Sequence, residues 1–132
     1  MLQNSAVRMI YKLKPRDHVT PYLKDLKWLR IKEKIDFKIL VHVYKCLSRV
    51  NSNSNPKYLC ELVTKKEFVD HTRLSEKNIL EEKIVFSTLG SKSFSYNAPR
   101  LWNNLSDDIK DCVSLSSFKK KLKIHFLNSA YL

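Results

Sequence analysis

The chain has 132 residues, a hydrophobic content of 43% and a formal net charge of +12. This length suits one small domain, because two domains of half the size would each bury too little apolar surface. The single glycine, Gly90, excludes a glycine-rich phosphate loop and disfavours a β-sandwich, which needs many tight turns.

The first thirty residues predict two helices. Apolar residues at helical spacing predict a first helix over 2–13. Thr20 stands directly before Pro21, so the threonine hydroxyl is expected to cap a second, short helix in which proline occupies an early position. This second helix is expected to end at Trp28 or Leu29.

The strongest helical signal begins at Arg30 and predicts the central axis of the core. Its apolar face is expected to hold Ile31, Ile35, Ile39, Val43 and Leu47, widened by Phe37, Leu40 and Tyr44. Its other face carries Lys32, Lys34, Lys38, Lys45 and Arg49. His42 lies between apolar neighbours and is assigned no chemistry.

The middle of the chain is less regular. Residues 51–56 are turn formers and predict a linker, whereas 58–63 form a small helical patch. The mixed charge of 65–77 predicts an exposed loop. Residues 84–86 read IVF, which favours a single strand or extended segment.

Two helices are predicted in the last third. Pro99 indicates that one helix is interrupted or begins near it, with Trp102 in the core. The alternative is that Phe94, Tyr96 or Trp102 stacks on unpaired bases. The closing helix, 114–128, is expected to be capped by serines and to bury Leu115, Phe118, Leu122 and either Phe126 or His125. The predicted fold class is therefore mainly α, a single small irregular domain over 1–132 with about five helices and at most one extended segment.

The positive charge is concentrated at the two ends of the chain. Residues 1–49 hold 12 Lys and Arg against 4 Asp and Glu, 50–111 hold 9 against 9, and 112–132 add four lysines without an acid. Such density favours a polyanionic partner, of which nucleic acid is the commonest. The alternative is a basic surface that serves only solubility.

No redox or metal motif is evident. The three cysteines, Cys46, Cys60 and Cys112, lack Cys-x-x-Cys spacing and are expected to be buried thiols. A zinc site from Cys46, Cys60 and one histidine is the alternative, with His18, His42, His71 or His125 as the histidine. Neither a metal nor any other cofactor is expected. No window is apolar enough to cross a membrane, which predicts an intracellular protein of the nucleus or cytoplasm.

Six blocks together form a recognisable pattern. In chain order they read RDHVTP (16–21), LKWL (26–29), IDFKIL (35–40), YKCL (44–47), SFSYNAPRLWNNL (93–105) and SFKKKL (117–122). Their content and order resemble the carboxy-terminal region of reverse transcriptases from LINE-type, non-LTR retrotransposons of the jockey and chicken-repeat type. The resemblance covers nearly the whole chain and places it after the polymerase fingers, palm and thumb.

The resemblance implies a non-catalytic part of an RNA-directed DNA polymerase. The metal-binding aspartate box of the polymerase palm is missing, and the adjacent pair Asp107 and Asp108 suits the first turn of a helix better. Neither catalysis nor a small-molecule substrate is expected. The expected partners are the upstream polymerase domain and the phosphates of RNA or DNA.

The residues expected to contact phosphates combine these blocks with the charge pattern. They are Arg16, His18, Lys24, Lys27, Arg30, Lys34, Lys38, Arg100, Lys119, Lys120, Lys121 and Lys123. Arg100 has the alternative of an ion pair with Asp107 or Asp108. Two other hypotheses remain: a protein interaction module in which Pro99, Leu101, Trp102 and Phe118 are structural, and a partly folded remnant of a decayed element.

Overall fold

The computed structural model describes residues 2–48, 56–67 and 78–131, and these ranges contain seven α-helices. They are α1 (Leu2–Tyr11), α2 (Thr20–Asp25), α3 (Ile31–Leu47), α4 (Lys57–Glu61), α5 (Phe94–Asn103), α6 (Asp107–Lys110) and α7 (Leu115–Tyr131). A 3-10 turn, Gly90–Lys92, precedes α5. The prediction of a small, mainly helical fold is confirmed. The number exceeds five because α4 and α6 are helices of only five and four residues.

The main core lies where α3 packs against α5 and α7. The Tyr44 and Phe118 rings stack with centroids 4.3 Å apart, and Trp102 lies beside Phe118 at 6.1 Å. The prediction that α3 is the axis of the core is confirmed for its second half, which holds its buried residues Leu40, Val41, Val43 and Tyr44. On α7, Phe126 is buried and His125 is exposed.

The amino-terminal half of α3 departs from its predicted apolar face. Ile31 and Ile35 are each 54% exposed, so the prediction that both lie in the core was wrong. The stripe of isoleucines is longer than the surface that α5 and α7 cover, since the fully buried residues of α3 all lie at or after Leu40. The first turns of α3 therefore present apolar side chains near the surface.

A second, smaller core joins α1 to α2. Val7, Val19 and Leu23 are buried together, and the rings of Tyr11 and Tyr22 pack with centroids 4.7 Å apart. Val19, not Thr20, is the residue before α2, and no side chain caps the helix. The prediction of a Thr20 cap was wrong, because Thr20 already belongs to the first turn.

A lysine with left-handed backbone follows the end of both α1 and α2. Lys12 and Lys27 have φ of 51° and 52°, and the next amides, of Leu13 and Trp28, donate to carbonyls five residues back at 2.9 and 3.0 Å. This is the Schellman arrangement, in which glycine usually occupies the left-handed position. It ends α2 at Asp25, earlier than the predicted end at Trp28 or Leu29.

Changing Lys12→Gly is expected to raise the free energy of unfolding by about 0.5–1 kcal/mol. A side chain in the left-handed region is strained, whereas glycine adopts it freely. Lys24→Gly is a matched control, because Lys24 is also exposed but lies within α2, where glycine costs about 0.5–1 kcal/mol. Urea unfolding of the two variants should therefore shift in opposite directions; shifts in the same direction would contradict the assignment.

Side chains of residues 93–105 form hydrogen bonds with the backbone of residues 78–91, which precede them in the chain. The Trp102 Nε1–H donates to the Asn78 carbonyl at 2.8 Å. The Asn103 amide accepts from the Leu80 amide and donates to the Leu80 carbonyl, both at 2.9 Å. Asn97 donates to the Ser91 carbonyl at 2.8 Å. The amides and indole of this segment therefore have structural roles.

One prediction for this region was wrong. Pro99 lies inside α5, buried, and neither starts nor interrupts the helix. Of the two alternatives for residues 84–86, the strand is not formed, and Phe86 is 99% exposed. The pairing found among the described residues is instead an isolated antiparallel bridge between Lys65 and Leu80, which Asn103 helps to hold in place.

Several expectations fall partly or wholly outside the described residues. The predicted linker, 51–56, is described only at Pro56, and the predicted loop, 65–77, only at 65–67. The patch predicted for 58–63 includes most of α4, with Val63 buried and Tyr58 exposed. The Ser114 hydroxyl accepts from the Ser117 amide at 3.2 Å, which confirms serine capping at the start of α7.

Candidate nucleic-acid interface

Three arginines converge on one cavity near the amino-terminal ends of α2 and α3. The cavity has a volume of about 500 Å³ and is lined by Arg8 of α1, Arg16 and His18 of the α1–α2 connection, and Arg30 before α3. We refer to it as the arginine pocket. Its remaining lining residues are Gln3, Asn4, Asp17, Val19, Thr20, Leu23 and Ile31. Three arginines against one aspartate give the lining of the pocket an excess of positive charge.

The arginines occupy different surroundings within the pocket. The Nε of Arg8 is buried, and among the described residues it has no hydrogen-bond partner. The guanidinium of Arg30 lies 5.4 Å from the centroid of the Tyr131 ring, a cation–π contact. A buried guanidinium nitrogen without a partner is costly, and because this Nε has no accessible surface, an anion in the pocket would have to bind Arg8 through its other guanidinium nitrogens.

The start of α3 adds to the positive potential of the pocket. Arg30, which directly precedes this 17-residue helix, and Ile31, its first residue, line the pocket, and no side chain caps the helix. Amides of an uncapped first turn attract anions, and the helix dipole favours negative charge at the same end. Glu33 supplies one negative charge in this first turn, which limits the effect.

Tyr131 ties the end of α7 to this region. Its hydroxyl donates to the Trp28 carbonyl at 2.5 Å. Burial raises the pKa of Tyr131, an effect that the nearby positive charge of Arg30 partly opposes. Tyr131 therefore stays a neutral hydrogen-bond donor at ordinary pH and holds the α2–α3 connection in place.

An apolar groove adjoins the arginine pocket and shares Gln3 and Ile31 with it. Its volume is about 610 Å³. Its apolar lining consists of Leu2, Ala6, Trp28, Leu29, Ile31 and Phe37. Its remaining lining residues are Gln3, Lys27, Lys34 and Lys123. Among the described residues, the charged side chains that line the groove are therefore all lysines.

The structure brings together six of the twelve residues expected to contact phosphates. Arg16, His18 and Arg30 line the arginine pocket, and Lys27, Lys34 and Lys123 line the groove. Lys24, Lys38, Lys119 and Lys120 are exposed and lie outside both cavities. Lys121 donates to the Asp108 carbonyl at 2.9 Å.

Arg100 lies outside both the arginine pocket and the apolar groove, and its ion-pair partner is Glu82. Its Nε is 4.0 Å from a carboxylate oxygen of Glu82, and its guanidinium contacts the Tyr96 ring and hydroxyl. Asp107 and Asp108, the alternative partners of Arg100, lie in the first turn of α6, where Asp107 is 3.7 Å from Lys110. Trp102 is only 2% exposed, which excludes its stacking on a base.

Sequence reasoning missed Arg8 and Gln3. Both lie in α1, outside the six blocks that carry the resemblance, and they reach the site only because α1 folds back beside the start of α3. Gln3 Nε2 donates to the Leu29 carbonyl at 2.7 Å, and this hydrogen bond holds α1 beside the connection between α2 and α3. The positive charge of the first 49 residues was the only signal that included Arg8.

Cys46 and Cys60 meet between α3 and α4. Their sulfurs are 2.7 Å apart, both side chains are half-buried, and no disulfide joins them. Cys112 is also half-buried. The described residues contain no group of three His, Cys, Asp or Glu side chains that could hold a metal; His71, one of the histidines considered, is outside those residues.

Oxidised glutathione is expected to convert Cys46 and Cys60 into a disulfide, with release of two molecules of reduced glutathione. Sulfurs already in contact need little backbone movement to bond. Intact mass after thiol alkylation would detect the product. The reaction should persist in Cys112→Ser and disappear in Cys60→Ser; a disulfide that requires Cys112 would contradict the observed pairing.

Comparison with protein-family models, curated proteins and solved structures gives no match for this chain. None of the helices in the described ranges combines the length and apolar character that a membrane crossing requires.

Proposed function

We propose that this chain binds single-stranded nucleic acid through its phosphates, with the arginine pocket as the principal contact. The observation that carries the proposal is the convergence of Arg8, Arg16 and Arg30 on one cavity at the start of α3. One guanidinium group can donate two parallel hydrogen bonds to two oxygens of a phosphate. This geometry attracts the phosphate and also fixes its orientation. The excess of positive charge over the first 49 residues supports attraction of an extended polyanion.

In this proposal the chain is a non-catalytic accessory module, consistent with its resemblance to the carboxy-terminal region of a retrotransposon reverse transcriptase. It would hold RNA or DNA beside the polymerase active site, without reading the sequence. The position of Asp107 and Asp108 at the start of α6 supports a role in helix stability for this pair, since acids there complement the helix dipole.

A second candidate function is docking of another protein domain, such as the upstream polymerase. It is favoured by the apolar side chains that α1 exposes: Leu2 is 88% exposed, Met9 81% and Ile10 55%. Apolar patches of this kind commonly mark interfaces between proteins. Leu2 also lines the groove beside the arginine pocket, so the docking surface and the proposed phosphate site are neighbours on the molecule.

Salt dependence of binding tests the proposal. The purified chain, shown to be folded by circular dichroism, is titrated into a fluorescent single-stranded RNA at increasing salt concentrations. Three phosphates held by the arginine pocket predict that log K falls with log salt with a slope of about −2 or steeper. A folded chain that fails to bind at low salt, or whose binding is indifferent to salt, would overturn the proposal.

A further inference from the structure

The apolar groove has a composition that suits a nucleobase. The described residues that line it include three lysines and no carboxylate, so a negatively charged partner is favoured over a neutral or basic one. Its apolar surface includes two aromatic residues, Trp28 and Phe37. An aromatic surface beside positive charge is the usual combination in proteins that bind single strands.

The backbone of Trp28 is held in place by hydrogen bonds before any ligand arrives. Its backbone amide donates to the Leu23 carbonyl at 3.0 Å, and its carbonyl accepts from the Tyr131 hydroxyl. The preceding Lys27 has the left-handed backbone that ends α2. With both backbone groups bonded and 36% of the residue exposed, Trp28 presents a partly accessible residue on a fixed backbone, so binding does not have to order the backbone there.

The groove adjoins the arginine pocket. Gln3 and Ile31 line both, so a phosphate beside Arg30 and a group beside Trp28 can belong to one nucleotide or to neighbours in the strand. The volume of about 610 Å³ lies within the range of ordinary ligand sites and accommodates a base.

We propose that the apolar groove binds an unpaired nucleobase, stacked on Trp28, of the strand whose phosphate lies in the arginine pocket. This inference rests on the proposed function and extends it from the phosphates to the bases. Lys27, Lys34 and Lys123 contact the phosphates on either side of that base. Stacking makes the site tolerant of base identity and selective for single strands, because paired bases cannot leave the duplex without loss of stacking and pairing.

Tryptophan fluorescence tests this inference in the intact chain. The chain has two tryptophans, and Trp102 is buried in the core, so a ligand that quenches the emission acts on Trp28. The probes are a short single-stranded oligoadenylate and an abasic strand with the same number of phosphates. We expect quenching by the oligoadenylate and none by the abasic strand, and equal quenching by both would overturn the inference.

Variants add an independent measurement by anisotropy with labelled strands. Trp28→Ala is expected to weaken oligoadenylate binding about 5-fold to 100-fold, the usual range for loss of one stacked base, and to leave abasic binding unchanged. Trp28→Phe should retain most of the affinity and lose the quenching. Tyr58→Ala, which removes an aromatic ring 64% exposed outside the groove, should change neither.

The outcomes separate this inference from the proposed function. Equal affinity of the two strands, each with a steep salt dependence, would refute the base site and leave phosphate binding standing. Failure of both strands to bind would refute the two together. Quenching by neutral apolar peptides but not by the oligoadenylate would assign the groove to a protein partner and overturn the inference.

Discussion

Replacing Trp102 by alanine is expected to lower the free energy of unfolding by about 3–5 kcal/mol. Trp102 is 2% exposed and packs beside Phe118, and its indole N–H donates to the Asn78 carbonyl. The substitution leaves a cavity at the contact of α5 with α7 and removes the partner of a backbone carbonyl. A loss of this size is a large share of the stability of a small domain.

Urea unfolding followed by circular dichroism measures this loss. Trp28→Ala is the matched control, because it removes the same side chain from a site where 36% of the residue is exposed, and its cost should be clearly smaller. Trp102→Phe should fall between wild type and Trp102→Ala, since the ring is partly retained but its hydrogen bond is lost. A cost below about 1 kcal/mol for Trp102→Ala would contradict the packing of α5 against α7.

The triple variant R8Q/R16Q/R30Q is expected to bind single-stranded RNA about a hundredfold more weakly at low salt. Three phosphate contacts at about 1 kcal/mol each account for this loss. The salt slope should become shallower by about 2, because three fewer phosphates are neutralised. Anisotropy over a salt series measures both quantities, and unfolding curves establish that the variant remains folded.

A second triple variant, K57Q/K83Q/K92Q, controls for net charge. These lysines are exposed and lie outside both the arginine pocket and the apolar groove, so the variant loses the same charge at a distance from the site. We expect its affinity to change little. Equal losses in the two triple variants would show that binding depends on overall charge alone and would refute the role of the pocket.

Periodicity predicted the long helices well, because their stability depends on one continuous apolar face. The carboxy-terminal half of α3 and the positions Phe118, Leu122 and Phe126 of α7 are buried at the spacing that the sequence shows. The early end of α2 was not predicted. It depends on the left-handed backbone of Lys27, a conformation that sequence patterns normally assign to glycine. Pro99 was misleading for a similar reason: its ring packs into the core, and the helix continues through it.

The site was predicted in part. Charge and the resemblance pointed to Arg16, His18 and Arg30, which the fold brings to one cavity. Arg8 comes from a different helix, and only tertiary packing places it there. The prediction that Ile31 is buried in the apolar face of α3 was wrong, because Ile31 is 54% exposed and lines both cavities. Apolar residues at helical spacing normally lie in the core. An exception to this pattern beside a cluster of arginines is typical of a functional surface.

NMR spectra of the arginine side chains test the central claim most directly. The chain has six arginines, so their Nε–H signals can be resolved and assigned with single Arg→Lys variants. Titration with single-stranded RNA is expected to shift the signals of Arg8, Arg16 and Arg30 together and to leave that of Arg100, which contacts Glu82 and Tyr96, nearly unchanged. Shifts confined to Arg100, or an unchanged Arg8 signal when the RNA is fully bound, would contradict phosphate binding in the arginine pocket.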